Sequence, residues 1–128
     1  MARLSFDKDA NVIVVFVELK AANKSVTLKM ALDTGATYMI IPWEIAEILG
    51  LHPEISKEKI EMITASGLEI VPIETVEGVS AIGGTAKNVK VIVHDLPAKS
   101  YVDGLLGLSF LKNFNMQINF KEGFVELI

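Results

Sequence analysis

The chain has 128 residues and a mass of 14.0 kDa, which fits a single domain, 1–128, large enough to bury a core. Hydrophobic residues make up 51% and charged residues 22%, which excludes a disordered chain, and a formal charge of −4 without a basic cluster argues against nucleic acid as a partner. The absence of cysteine excludes disulfide frameworks and thiol chemistry and suits a cytoplasmic protein, as does a start in which Met1-Ala2-Arg3 soon meets Asp7, Lys8 and Asp9 where a leader would be apolar.

In chain order, residues 1–11 read as a flexible N-terminal arm, with an interface strand or a self-cleaved segment as alternatives. Residues 12–19 and 26–32 read as strands joined in a hairpin through the polar stretch 20–25. The first run is ended by Glu18 and Lys20 and is far too short to cross a bilayer, so no membrane partner is expected. A two-turn helix is expected over 42–50, with Pro42 in its first turn, Glu44 near its start and Gly50 after its end; Ile41, Ile45, Ile48 and Leu49 would share one face. A connector holding Pro53 follows. Three strand pairs come next: 59–64 with 68–73 around Ala65-Ser66-Gly67, 75–82 with 86–93 around Gly83-Gly84-Thr85, and 115–120 with 124–128 around Lys121-Glu122-Gly123. Before the last pair, Asp103-Gly104-Leu105-Leu106-Gly107 leads into a short helix through Asn113, with Ser109 as its expected cap. The pattern is all-β with one or two short helices. Residues 26–50 and 90–113 each run from a strand through an Asp/Gly turn into a helix, which suggests an internal two-fold within one domain.

The chemistry-bearing segment is Ala31-Leu32-Asp33-Thr34-Gly35-Ala36, at the end of an apolar strand. A carboxylate followed by a hydroxyl residue and glycine supplies an acid/base group, a residue to hold its loop, and a position where backbone approaches backbone closely. An Asp-Thr-Gly triplet alone arises by chance in roughly one chain in forty of this length. Here it is accompanied by a following helix, a turn-tipped hairpin at 59–73 and a distal Leu105-Leu106-Gly107. Together these features resemble the retropepsin-like, single-lobe aspartic peptidases, and more specifically their cellular prokaryotic members, over roughly residue 12 to the C-terminus.

The resemblance implies a closed barrel or sandwich fold and an aspartic endopeptidase. The chain holds one such triplet and the mechanism needs two carboxylates, so the active form would be a homodimer with both Asp33 side chains at its axis. The two would share a proton, one activating a water and the other polarising the scissile carbonyl. Activity should then peak on the acid side, without metal or organic cofactor. Thr34 would bond across the interface, Gly35 would keep Cβ atoms out of the junction, and Ala36 completes the supporting loop. Ala65, Ser66 and Gly67 would form the tip of a flap closing over an extended peptide or unfolded protein segment. Leu105, Leu106 and Gly107 would pack beneath the catalytic loop. The C-terminal hairpin would pair within its own subunit, leaving a weak, concentration-dependent dimer.

Other readings stand beside these. Asp33 read in isolation is a turn residue. Asp103 also precedes glycine but lacks the hydroxyl-Gly sequence and reads as structural. His52 and His94 are too few and too distant in sequence for a metal site, and neither has a serine partner in a nucleophile-elbow pattern. Gly83-Gly84-Thr85-Ala86-Lys87 lacks the ending of a phosphate loop and reads as a hairpin turn. Tyr38 and Trp43 read as packing residues. The competing function is a catalytically silent dimer of the same fold that binds peptides or scaffolds a partner.

Overall fold

Apolar and polar residues alternate along β2 (Val14–Ala21), and that period puts Val15, Val17 and Leu19 on a buried face and Phe16, Glu18 and Lys20 outside. Ala22 and Asn23, both at positive φ, turn the chain tightly into β3 (Lys24–Leu32). The computed structural model, which describes residues 2–128, continues through β4 (Met39–Ile41), α1 (Trp43–Ile48), a 3-10 turn (Pro53–Ile55), β5 (Glu58–Thr64), β6 (Gly67–Ala81), β7 (Gly84–Val93), β8 (Gly104–Leu106) and α2 (Leu108–Leu111). It closes with β9 (Met116–Asn119) and β10 (Phe124–Leu127).

Strands β2, β3, β8, β4, β7 and β6 neighbour one another in that order, and a β2–β6 pairing closes them into a six-stranded barrel. An internal two-fold is visible in the pairings. β3 runs parallel to β8 through Met30–Gly104, Ala31–Leu105 and Leu32–Leu106, while β7 runs parallel to β4 through Val91–Met39, Ile92–Ile40 and Val93–Ile41. Exchanging β2, β3 and β4 with β6, β7 and β8 maps one set onto the other, and Ile40 meets Leu105 where β4 and β8 cross. The core inside includes Phe110, Leu19, Met30, Met39, Ile41 and Leu106, each shielded almost completely from solvent. Truncating a phenylalanine buried as Phe110 is costs about 3–5 kcal/mol. No helix among the described residues is long and apolar enough to cross a membrane.

Four elements differ from the sequence expectation. Ala2–Ser5 is not an arm but a strand, β1, paired antiparallel with β10 in a separate sheet of order β1-β10-β9. Leu4 pairs with the buried Val125, and that sheet packs on the barrel through Val125 and Leu127; Met1 lies outside the described residues. The expected strands 68–73 and 75–82 are one 15-residue strand, β6. It pairs with β5 up to Ile73 and with β7 from Ile73 onward, so a change of partner, not a break, separates the two stretches. On α1, Ala46 and Leu49 are buried while Ile48 is 45% exposed, so the buried face is narrower than the apolar pattern. Ser109 does not cap α2. Gly107 holds that position without a side-chain bond, and Ser109 Oγ instead accepts the backbone N–H of Met39 at 2.9 Å. The helix begins earlier because the Leu108 N–H is bound by the Ala36 carbonyl at 2.8 Å.

Candidate active site

The loop joining β3 to β4 carries Asp33, Thr34, Gly35 and Ala36. Parallel pairing with β8 ends at Leu32–Leu106, and the next residue extends the contact: the Asp33 N–H donates to the Leu106 carbonyl at 3.0 Å. The chain then turns back on itself. The Gly35 N–H donates to Asp33 Oδ1 at 2.9 Å, and the Ala36 N–H donates to the Asp33 carbonyl at 3.2 Å. A Cβ on Gly35 would stand 3.2 Å from that same Oδ1, so glycine here lets the carboxylate fold down onto the loop amide.

The support beneath is equally specific. Leu106 and Gly107 are buried, and Leu105 is half-buried. A Cβ on Gly107 would fall 2.6 Å from both the Ala36 and the Tyr38 carbonyl oxygens, so only glycine fits where α2 starts under the loop. Thr34 and Gly35 face outward and are exposed. Thr34 lines a cavity of about 470 Å³ whose walls also include Leu32, Asp33, Leu105, Ile118 and Phe120.

The β5–β6 hairpin stands above the neighbouring face. Ala65 and Ser66 form its turn, whereas Gly67, at φ +109°, already pairs with Thr64 as the first residue of β6. The Thr64 hydroxyl donates to the Gly67 carbonyl at 3.1 Å and accepts the Ser66 N–H at 3.2 Å. Thr64 was not singled out by the sequence reading, although a threonine opening a turn is a recognisable signal for such local bonds. The inner side of the hairpin, Ile60, Met62, Val71 and Ile73, packs on Ile40, Ile92, Tyr38 and Leu105. Leu105 therefore touches both the hairpin's cluster and the Asp33 cavity. Ile63, Leu68 and Ile70 are exposed. At the hairpin's base the Ser56 hydroxyl donates to the Glu74 carboxylate, and Lys90 pairs with Glu58 at 2.9 Å.

Asp103 is exposed and structural: its N–H donates to the Lys29 carbonyl at 2.7 Å and its Oδ2 accepts the Lys29 N–H at 3.3 Å. Asp95, also passed over in the sequence, accepts the Trp43 N–H at 3.0 Å and so caps α1, whose own N-cap residue, Pro42, provides no such bond. Tyr38 and Trp43 are packing residues, as read from the sequence.

Residues 17–113 match the family described as gag-polyprotein putative aspartyl protease. No curated protein matches the chain significantly. Among solved structures, the chain is similar to a retropepsin-like aspartic protease from Rickettsia conorii, with a TM-score of 0.72 and 26% identity over 98% of this chain and 87% of that one. The chain belongs to this aspartyl-protease family and has the retropepsin-like fold.

Proposed function

We propose that the protein is an aspartic endopeptidase that hydrolyses peptide bonds as a homodimer. The observation that carries this reading is the Asp33-Thr34-Gly35 loop, held from below by the Leu106 carbonyl and open on its outer side to a cavity. Each chain has one such triplet, so the chemistry requires a second copy that brings its own Asp33 to the first. Of the two carboxyls, one takes a proton from a water lying between them while the other donates to the scissile carbonyl oxygen. The gem-diol then collapses as a proton passes to the departing amine.

The surface around Asp33 suits such a pairing. Thr34 is exposed at the rim, where its hydroxyl can bond to the partner loop. Strand β9 is the outer edge of its sheet, and Phe120 just beyond it is 67% exposed on the wall of the same cavity. Because β1, β9 and β10 pair within one subunit, the second copy would be held by the catalytic loops, the flaps and this edge, without exchanged termini. A dimer of that kind dissociates on dilution, and activity should rise faster than protein concentration. The substrate would be an extended polypeptide lying under the β5–β6 hairpin and adding strand-like hydrogen bonds to it.

The test incubates the wild type and Asp33→Asn with a mixed peptide library from acid to neutral pH, with products read by mass spectrometry. Cleavage by the wild type alone supports the reading. A folded dimer that cleaves nothing favours a peptide-binding module of the same fold.

A further inference from the structure

A second recess lies beside the Asp33 cavity. Its volume is about 260 Å³ and its walls are Ala10, Asn11, Val12, Val14, Lys29 and Tyr101. Asn11 and Val12 line both recesses, so they are continuous across one ridge. Tyr101 at 81% and Phe16 at 68% are among the most exposed large hydrophobic side chains described. Phe16 stands directly opposite Lys29 in the β2–β3 register, and Val14 lies two residues from Phe16 on the same outer face. Isolated exposed apolar residues are ordinary, but here Tyr101, Val12, Val14 and Lys29 line one recess and Phe16 sits opposite Lys29 on the adjoining strand.

The recess is also anchored to the catalytic floor. Two hydrogen bonds, Asp103 N–H to the Lys29 carbonyl and Lys29 N–H to the Asp103 carboxylate, pin the loop carrying Tyr101 to β3, and Gly104 then starts β8. Lys29 joins none of the ion pairs among the described residues, and the nearby Asp103 carboxylate is engaged by the Lys29 backbone. Its ammonium is an uncommitted cation beside an aromatic surface, on a chain of formal charge −4.

We propose that Val12, Val14, Phe16, Lys29 and Tyr101 form an extension of the substrate cleft that binds a distal stretch of the polypeptide carrying an aromatic or apolar side chain next to a carboxylate. The proposal rests on the peptidase reading for the path of the chain. An extended peptide leaving the Asp33 cavity over Val12 would lay its apolar side chain against Tyr101 and Phe16. The adjacent carboxylate would reach Lys29 Nζ. Tyrosine and phenylalanine offer large contact area at low cost in side-chain freedom, and a lysine at the rim adds a salt-sensitive attraction.

The experiment measures binding of fluorescently labelled extended peptides to the full-length Asp33→Asn variant, and kcat/KM of the same peptides with the wild type. The peptides share a central sequence and carry Phe-Asp or Ala-Ala at either distal end. The expected result is about tenfold tighter binding of one Phe-Asp peptide, weakening with salt. Tyr101→Ser or Lys29→Gln should remove most of that preference at unchanged thermal stability. Selection by Asp33→Asn with no cleavage by the wild type would leave this site standing and remove the peptidase reading. Cleavage by the wild type with no preference between the peptides would overturn this proposal alone. It would also be overturned if Tyr101→Ser or Phe16→Ser shifted sedimentation toward monomer, making the surface a contact between copies.

Discussion

Asp33 and His94 occupy equivalent positions in the two halves of the barrel. Each follows the last paired residue of its strand, and each donates its backbone N–H at 3.0 Å to the carbonyl ending the neighbouring short strand, Leu106 for Asp33 and Ile41 for His94. The helix starts are tied in the same crossed manner. Leu108 at the head of α2 bonds to Ala36 in the first loop, and Trp43 at the head of α1 bonds to Asp95 in the second. The fold therefore offers two matching loops per chain, of which one carries Asp-Thr-Gly. The second carboxylate of the proposed dyad has to come from another copy.

The tightest point under the Asp33 loop is Gly107. Gly107→Ala should lower stability by about 1–3 kcal/mol, because its Cβ would meet two backbone carbonyls that have no room to retreat. Gly78→Ala is the control, since its Cβ would lie at an ordinary 3.8 Å from Lys20 Cβ. Thermal unfolding of the two variants checks this; equal losses would show that the close approach does not matter.

Asp95 caps a helix from a loop 52 residues away. Asp95→Ala leaves the Trp43 amide without its acceptor and should cost about 0.5–2 kcal/mol, measured by urea unfolding. Asp95→Asn keeps an acceptor and should recover most of that loss.

Asp95 also marks where local sequence signals stop being informative. The hairpins, α1 and the Asp33 loop were readable because alternation, turn residues and an Asp-Thr-Gly triplet are local signals. The cap on Trp43 was not, since Pro42 carries no capping group and Asp95 becomes its neighbour only once β4 and β7 pair. Nor was the length of β6: at Ile73 the strand changes partner from Glu58 to Ile92, and a partner change leaves no mark in the sequence. Ser109 looked like a cap, but the parallel pairings that carry Met39 beside α2 gave it a longer-range role. Around the loop, the sequence pattern singles out Asp33, Gly35 and Leu105-Leu106-Gly107, and the fold brings Asp33 and Leu106 into backbone contact. Thr64 was missed because its value lies in two local bonds that become apparent in the folded turn.

Thr64 yields a prediction about the β5–β6 hairpin. Thr64→Val keeps the shape of the side chain and removes the hydroxyl that closes the turn. Losing about 1 kcal/mol of local hydrogen bonding should speed amide exchange at Ser66 by about fivefold, with little change in global stability. Hydrogen exchange followed by NMR reads this directly. Unchanged protection at Ser66 would mean the turn is held by its strand pairing alone.

Lys90 gives a titration. The hydrogen bond from its ammonium to the Glu58 carboxylate, and then the attraction between the two charges, raise its pKa above the ordinary 10.5. A cation stabilised in the folded state contributes fully below 10.5, and the contribution fades as pH rises through the higher folded value. The lysine side chain is about half exposed, so the effect on stability is small and weakened by salt. NMR titration should show the Lys90 pKa falling in Glu58→Gln; the same value in both proteins would contradict the pairing.

An active site built from two chains has a signature in subunit mixing. Wild type and Asp33→Asn are combined at fixed total concentration, allowed to exchange, and assayed on a cleaved peptide. If each site needs both Asp33 carboxyls and subunits exchange freely, an equal mixture retains about one quarter of the wild-type activity, the share of dimers holding two intact chains. If each chain cleaves with its own Asp33, the same mixture retains about one half and the two-chain site is wrong.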